Sequence, residues 1–232
     1  MIEVYQGREG MKKVKVITQI LDANDQIAKE NQEILRSHQI LCVNLMASPG
    51  AGKTSLILRT GKALSDRARI GVIEGDVASR IDADKVASQK IPVIQINTGG
   101  GCHLDASTVQ KALKALPLSE IDLLFIENVG NLICPVEFQL GEEIRVVVAS
   151  VPEGDDKPYK YPGIFTAVNA VVLNKMDLAP YVDFKLDAMR KGITTMNRKA
   201  KFFQVSCRTG EGISSWADWL ETQWRSNRQQ NA

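Results

Sequence analysis

The stretch Ala47-Ser48-Pro49-Gly50-Ala51-Gly52-Lys53-Thr54, followed by Ser55, constrains this chain more than any other part of it. It follows the apolar run from Ile40 to Met46, which reads as a buried strand, and it precedes a run of helical spacing from Thr54 to about Asp66. Strand, glycine-rich loop and helix in that order are the context a P-loop requires. Gly50, Ala51 and Gly52 would turn backbone N–H groups toward a triphosphate, with Ser55 in the first turn of a helix whose positive end faces the same anion. Lys53 would reach the β- and γ-phosphates, and the Thr54 hydroxyl would ligate Mg²⁺. Ala47 replaces the first glycine of the usual pattern and fits there if its φ is negative.

The rest of the chain alternates strand and helix. Strands are expected at Arg69 to Asp76, Ile91 to Asn97, Ile121 to Asn128, Arg145 to Ser150, Ala170 to Asn174 and Phe202 to Ser206. Helices are expected at Ala78 to Ser88, from the TGGGCHLDAS turn to about Leu116, Asp183 to Met196 and Ile213 to Trp224. Continuous apolar strands such as IDLLFIEN belong to a parallel sheet covered on both faces, so the fold class is a three-layer, mostly parallel α/β P-loop NTPase. In such sheets the ligand lies at the C-terminal ends of the strands, where the polar motifs fall here. Residues 1–38 read as a helical extension of one or two helices between about Lys12 and Ser37, residues 39–226 as the P-loop domain, and residues 227–232 as a flexible end to the polar tail RSNRQQNA.

Length and charge narrow the function. A chain of 232 residues, 44% of them hydrophobic, holds one well-buried domain. A net charge of +2 from 29 basic and 27 acidic side chains gives no footprint for nucleic acid. No apolar segment has the length to cross a bilayer and the N-terminus has no signal-peptide core, so no membrane association is expected and a cytoplasmic location is. The four cysteines have no C-x-x-C spacing and suit a reducing compartment.

Asn174-Lys175-Met176-Asp177 follows a strand and matches the N-K-x-D pattern of guanine-nucleotide proteins. A carboxylate at Asp177 can accept from guanine N1–H and its exocyclic amine, whereas adenine offers a lone pair there, so GTP is the expected nucleotide. The Lys175 stem can cover the base, and Ser206-Cys207-Arg208 would supply N–H groups to the guanine oxygen. Glu127-Asn128-Val129-Gly130 stands where many GTPases carry D-x-x-G. The Glu127 carboxylate could reach Mg²⁺ through water, and the Gly130 N–H could sense the γ-phosphate. Lys53, Asp76 and Glu127 are the expected catalytic groups. Asp76 or Asp82 would complete the magnesium environment or position the attacking water, with Asp82 and Asp84 as plain helix charges being the alternative. Asn131, not Gln, follows Gly130, so hydrolysis by the monomer should be slow.

Cys102-His103 comes after three glycines at a strand end, and Cys134 comes shortly after Gly130 at what reads as the neighbouring strand end. Two thiolates and an imidazole suit Zn²⁺ or Ni²⁺. His103 could instead cap a helix starting at Leu104, and either cysteine could be plain packing. A twofold dimer would complete a closed set from these donors.

ASPGAGKTSL, VIEGD, NTGGGCHLDA, ENVGNLICP, SVPEGDDKPYKYP, LNKMDL and VSCRTGEG together resemble the HypB family, GTPases that assist nickel insertion during maturation of nickel–iron hydrogenase. The resemblance runs from about Leu41 to Gly212. It implies a signal-recognition-like P-loop fold, a GTP-dependent homodimer, and metal held by Cys102, His103 and Cys134 at the dimer interface, with Lys157 reaching across it. It also implies a HypA-type nickel metallochaperone and a hydrogenase large subunit as partners. Some members carry an N-terminal Cys motif or His-rich stretch, and residues 1–37 here have neither. Urease-accessory GTPases resemble this group but usually have Cys-Pro-His, whereas Cys102 is followed directly by His103. Competing readings are nickel delivery to urease or another metalloenzyme, a P-loop small-molecule kinase, and an interaction module with a structural zinc.

Overall fold

The structure is a computed structural model that describes residues 2–4, 12–14, 16–76 and 81–230. At the N-terminus, β1 (Ile2–Val4) pairs antiparallel with β2 (Lys12–Val14), and α1 (Val16–Ser37) follows. The helical spacing read from Lys12 therefore begins to be helix only at Val16. The following elements are β3 (Leu41–Ala47), α2 (Lys53–Ala63), β4 (Ile70–Asp76), α3 (Ile81–Ser88), β5 (Val93–Asn97), α4 (Ala106–Ala115), β6 (Leu123–Glu127) and β7 (Ile144–Ser150). Short helices α5 (Lys157–Lys160) and α6 (Pro162–Thr166), unread in the sequence, lead to β8 (Ala170–Asn174), α7 (Leu186–Met196), β9 (Lys201–Gln204) and α8 (Ile213–Gln230). Of the helix expected from Ala78, residues 78–80 lie outside the described residues.

β3 to β9 form one parallel seven-stranded sheet in the order β5-β4-β6-β3-β7-β8-β9. β3 is central, and chain order reverses around it, with β6 on one side and β7 on the other. That switch point opens the crevice in which the P-loop sits. β3, β6 and β8 are buried along their whole length, as strands covered on both faces must be.

Alternation along β3 divides the core. Leu41, Val43 and Leu45 face a cluster closed by α2, α3 and α8, with Leu56, Ile57, Val86 and Trp216 in it. Cys42 faces the opposite side, under α1 and α4, and Met46 faces a third cluster under α6 and α7. Asn44 lies between the last two, fully buried. The helix α1 is tied to that face by side-chain hydrogen bonds, since Asn31 donates to the carbonyls of Ala106 at 2.8 Å and Leu140 at 2.9 Å. Asn24 donates to the carbonyl of Gln139 at 2.8 Å and accepts from the Ala106 N–H at 2.9 Å.

The polar end RSNRQQNA, expected to fray, instead continues α8 to Gln230, with residues 231–232 outside the described residues. Trp224 anchors it: Arg228 and Arg225 stack over the indole at 5.2 and 5.8 Å, and Arg225 pairs with Glu221 one turn earlier. No described helix is long and apolar enough to cross a membrane.

Candidate nucleotide and metal sites

The loop from Ser48 to Gly52 runs from the end of β3 into α2. Gly52 has φ of 103°, and a Cβ there would collide with the Asn174 amide, so only glycine fits. Positive φ among the described non-glycine residues is confined to Gln39, Lys90 and Lys175, so Ala47 holds its position without strain. Gly130 meets the loop from the other side, because a Cβ on it would lie 3.0 Å from the backbone N of Pro49. The segment after β6 therefore rests directly on the phosphate loop.

Thr54 donates its hydroxyl to Oε1 of Glu127 at 2.9 Å, and the Lys53 ammonium lies 3.9 Å from the same oxygen. Burial pushes the Glu127 carboxyl up in pKa against the opposing pull of Lys53 and Thr54, with Asp82 and Asp76 adding to the rise. Glu74, beside Glu127 on β4, is pushed to about 8 by burial and then by Glu127, Asp76 and Asp82. Glu74 Oε2 and Glu127 Oε2 are both buried without a hydrogen-bond partner. Orphaned carboxylate oxygens next to a threonine hydroxyl are a donor set that fits a hard divalent cation. Asp76 and Asp82 both act electrostatically on this pair, with Asp82 also bound to Lys85 at 2.8 Å, whereas Asp84 is exposed. Glu74 was missed by the sequence reading, although an acid inside an apolar strand was its signal.

The base-side residues are assembled across three loops. Asn174 donates to the Ala51 carbonyl at 3.0 Å and accepts from the Cys207 N–H at 3.1 Å. Lys175, at φ of 61°, donates to the Gly50 carbonyl at 2.7 Å. Asp177 accepts from the Ser206 hydroxyl at 2.6 Å and lies 3.9 Å from Arg208. Arg59 on α2, also missed, donates to the carbonyls of Cys207 at 2.6 Å and Arg208 at 2.7 Å, fixing the base loop to the phosphate helix. Burial pushes the Cys207 thiol to about 11, which leaves it an uncharged packing group. Ser55 is exposed at the start of α2. Lys157 reaches Ser48 of its own chain at 3.4 Å and Glu153 at 3.6 Å.

The donor atoms of Cys102, His103 and Cys134 lie within 4.8 Å of one another. The strands they follow are not neighbours, since β4 separates β5 from β6, so the two loops converge above β4 instead of leaving adjacent strands. His103 caps nothing: α4 begins at Ala106, and its cap is Asp105, which accepts from the Thr108 N–H at 2.7 Å. The imidazole instead stacks on Phe138, centroids 3.9 Å apart, and its Nδ1 is 3.4 Å from Cys102 Sγ. Burial lowers the His103 pKa, a shift toward the neutral ring that a ligand must be. The neighbouring Cys134 thiol raises that of Cys102. This set of two thiols and one neutral imidazole suits a soft or borderline metal.

Fold and site together define a P-loop nucleotide-binding protein with an N-K-x-D loop after β8 and, on the opposite side of β3, a Cys/His trio that could hold a metal ion. Residues 41–204 match the family profile described as CobW/HypB/UreG, nucleotide-binding domain. Hydrogenase maturation factor HypB of Escherichia coli K12 is 42% identical over 217 residues, covering 94% of this chain and 75% of that protein. The crystal structure of HypB from Helicobacter pylori in complex with nickel superposes with a TM-score of 0.85 at 33% identity, covering 89% of this chain and 97% of that one. The crystal structure of hydrogenase maturation factor HypB from Archaeoglobus fulgidus gives 0.82 at 41% identity, covering 88% and 99%. The chain belongs to the HypB hydrogenase maturation factors of the CobW/HypB/UreG family.

Proposed function

We propose that this protein hydrolyses GTP to GDP and phosphate and carries nickel for insertion into nickel–iron hydrogenase, with GTP-dependent dimerisation controlling metal binding and release. The observation that carries this reading is the meeting of Cys102, His103 and Cys134 within 4.8 Å on the loops that follow β5 and β6, the second of which ends at Glu127. The nickel complex of the Helicobacter pylori relative supports nickel as cargo, with zinc as the competing ion.

In this reading Lys53 and the Gly50–Lys53 backbone bind the β- and γ-phosphates. Thr54 and Glu127, with Asp76 or Asp82, would hold Mg²⁺, which would neutralise charge developing on the phosphates. Asp177, with Lys175 and the Ser206–Arg208 loop, selects guanine. Asn131 stands where no Gln is available to orient the attacking water, and its Oδ1 accepts the Ile133 N–H at 2.8 Å. A second copy would supply what the monomer lacks. Ile133, 64% exposed next to Cys134, offers an apolar contact for a second copy. Lys157 would turn from Ser48 toward the partner's nucleotide. The partners proposed on the hydrogenase pathway are a HypA-type nickel metallochaperone and a hydrogenase large subunit.

The test is to load the protein with nickel and non-hydrolysable GTP analogue or with GTP, and to follow metal transfer to a chromogenic chelator. Transfer that accelerates only during GTP turnover, with turnover per monomer rising with protein concentration, supports the proposal. Equal transfer rates in both would overturn it.

A further inference from the structure

A buried polar chain runs beneath the metal trio from the end of the strand that carries Glu127. Asn128, 1% exposed, accepts two N–H groups on its side-chain oxygen, from Leu104 at 3.2 Å and from Val129 at 3.0 Å. Leu104 follows His103 directly, and Val129 lies between Glu127 and the Gly130 that rests on the phosphate loop. The Leu104 side chain packs on β4 at Gly75, between Glu74 and Asp76, where a Cβ would lie 2.8 Å from it. The Asn128 amide donates to Asn44 Oδ1 at 3.3 Å, and Asn44 donates to Glu142 Oε1 at 3.1 Å. The same Glu142 oxygen accepts from Arg145 Nε at 2.6 Å. Arg145 then spreads its guanidinium over the second metal loop, donating to the carbonyls of Val136 at 3.0 Å and Phe138 at 2.8 Å. That loop begins at Cys134, and Phe138 is the ring stacked on His103.

Four buried side chains thus connect both metal-bearing loops to the segment that touches the phosphate loop, with each donor meeting an acceptor. A network of this kind has few alternative arrangements, because breaking one link leaves a buried polar group unpaired. A displacement of residues 127–130 moves the acceptor of Leu104 N–H directly, and moves Cys134 and Phe138 through Arg145.

We propose that Asn128 is the positioning residue that couples the nucleotide site to the metal site, acting through Leu104 on Cys102 and His103 and through Asn44, Glu142 and Arg145 on Cys134. The proposal rests on the nucleotide-controlled metal binding proposed above, and it names the connection that makes such control possible.

The experiment is a nickel titration of the full chain with non-hydrolysable GTP analogue and again with GDP, giving a ratio of the two dissociation constants. It is run on the unmodified protein, Asn128→Ala, Arg145→Lys and Phe138→Ala. The unmodified ratio should fall in the range of about 5 to 150 usual for coupled sites. Asn128→Ala should bring it to within about twofold of one while nickel and nucleotide each still bind. Arg145→Lys keeps a charge opposite Glu142 but loses the fork on both carbonyls, and it should lower the ratio as well, giving a second reading where Asn128→Ala does not fold. Phe138→Ala removes only the ring behind His103, so it should weaken nickel binding alike in both nucleotide states and leave the ratio standing. A ratio of one in the unmodified protein overturns nucleotide control and the relay with it. A normal ratio that survives in Asn128→Ala or Arg145→Lys overturns the relay alone.

Discussion

Thr54 gives its hydroxyl hydrogen to Glu127 at 2.9 Å, joining the first turn of the phosphate helix to the end of the adjacent central strand. The Lys53 ammonium lies 3.9 Å from the same carboxylate oxygen, so Lys53, Thr54 and Glu127 meet at one point.

Lys53→Ala should remove the charge that meets the β- and γ-phosphates and reduce GTP turnover by about 10²- to 10³-fold or more, roughly 3 kcal/mol of transition-state stabilisation. Phosphate release measured under saturating GTP checks this, and turnover within tenfold of the unmodified protein would remove the P-loop assignment.

Asp177→Asn should shift preference from guanine to xanthine nucleotides, because an amide can donate to the xanthine oxygen where a carboxylate can only accept. The Ser206 hydroxyl, which donates to Asp177 at 2.6 Å, can equally donate to the amide oxygen, so the loop should keep its shape. Competition binding with GTP, ATP and XTP gives the readout. Equal affinity of the unmodified protein for GTP and ATP would refute guanine selection.

Glu74 gives the magnesium-free protein a pH signature. Its carboxyl, near 4.5 when the chain is unfolded, is raised to about 8 in the fold by burial and then by Glu127, Asp76 and Asp82. The folded state therefore binds more protons between those values, and the stability it contributes is full below 4.5 and lost as pH rises through 8. Glu143, raised to about 7 by burial, acts in the same direction. In Glu74→Gln the fall of melting temperature from pH 5 to pH 9 should shrink without vanishing. Identical slopes for the two proteins would show that the fold does not raise the Glu74 pKa.

Nickel affinity should rise with pH, since the Cys102 thiol, held above its ordinary value by Cys134, must lose its proton to bind. Each proton released contributes about tenfold per pH unit below the thiol's pKa. Cys102→Ala should leave only weaker nickel binding, whose pH dependence is flatter by one proton, read by titration between pH 6 and 8. An unchanged slope in that variant would place the metal elsewhere.

Local motifs carried the site in the sequence, and long-range packing did not. The phosphate loop and N-K-x-D were legible because one backbone stretch must wrap each part of the ligand, so the residues that act together are consecutive. The metal trio was legible from residue type alone, and the error about neighbouring strands came from chain order, which does not reveal that β4 is inserted between β5 and β6. Asn128, Asn44, Glu142 and Arg145 were not legible as a relay, because their partners lie up to 98 residues apart. The three-residue strand Lys12–Val14 is too short for periodicity to separate it from the helix that follows. The last turns of α8 looked like a tail because their stability comes from arginines on Trp224 and from Asn227 reaching the Ile40 carbonyl at 3.4 Å.

The most direct test of the account is nickel stoichiometry and affinity measured by calorimetry on the unmodified protein, with its mass in solution followed in the same samples. With non-hydrolysable GTP analogue and Mg²⁺, the protein should be dimeric and bind nickel about 5- to 150-fold more tightly than the GDP form. Cys102→Ala and Cys134→Ala should abolish that tight class of site. Identical affinity and stoichiometry in both nucleotide states, with dimerisation observed, would contradict the account and make the metal a structural staple, not cargo.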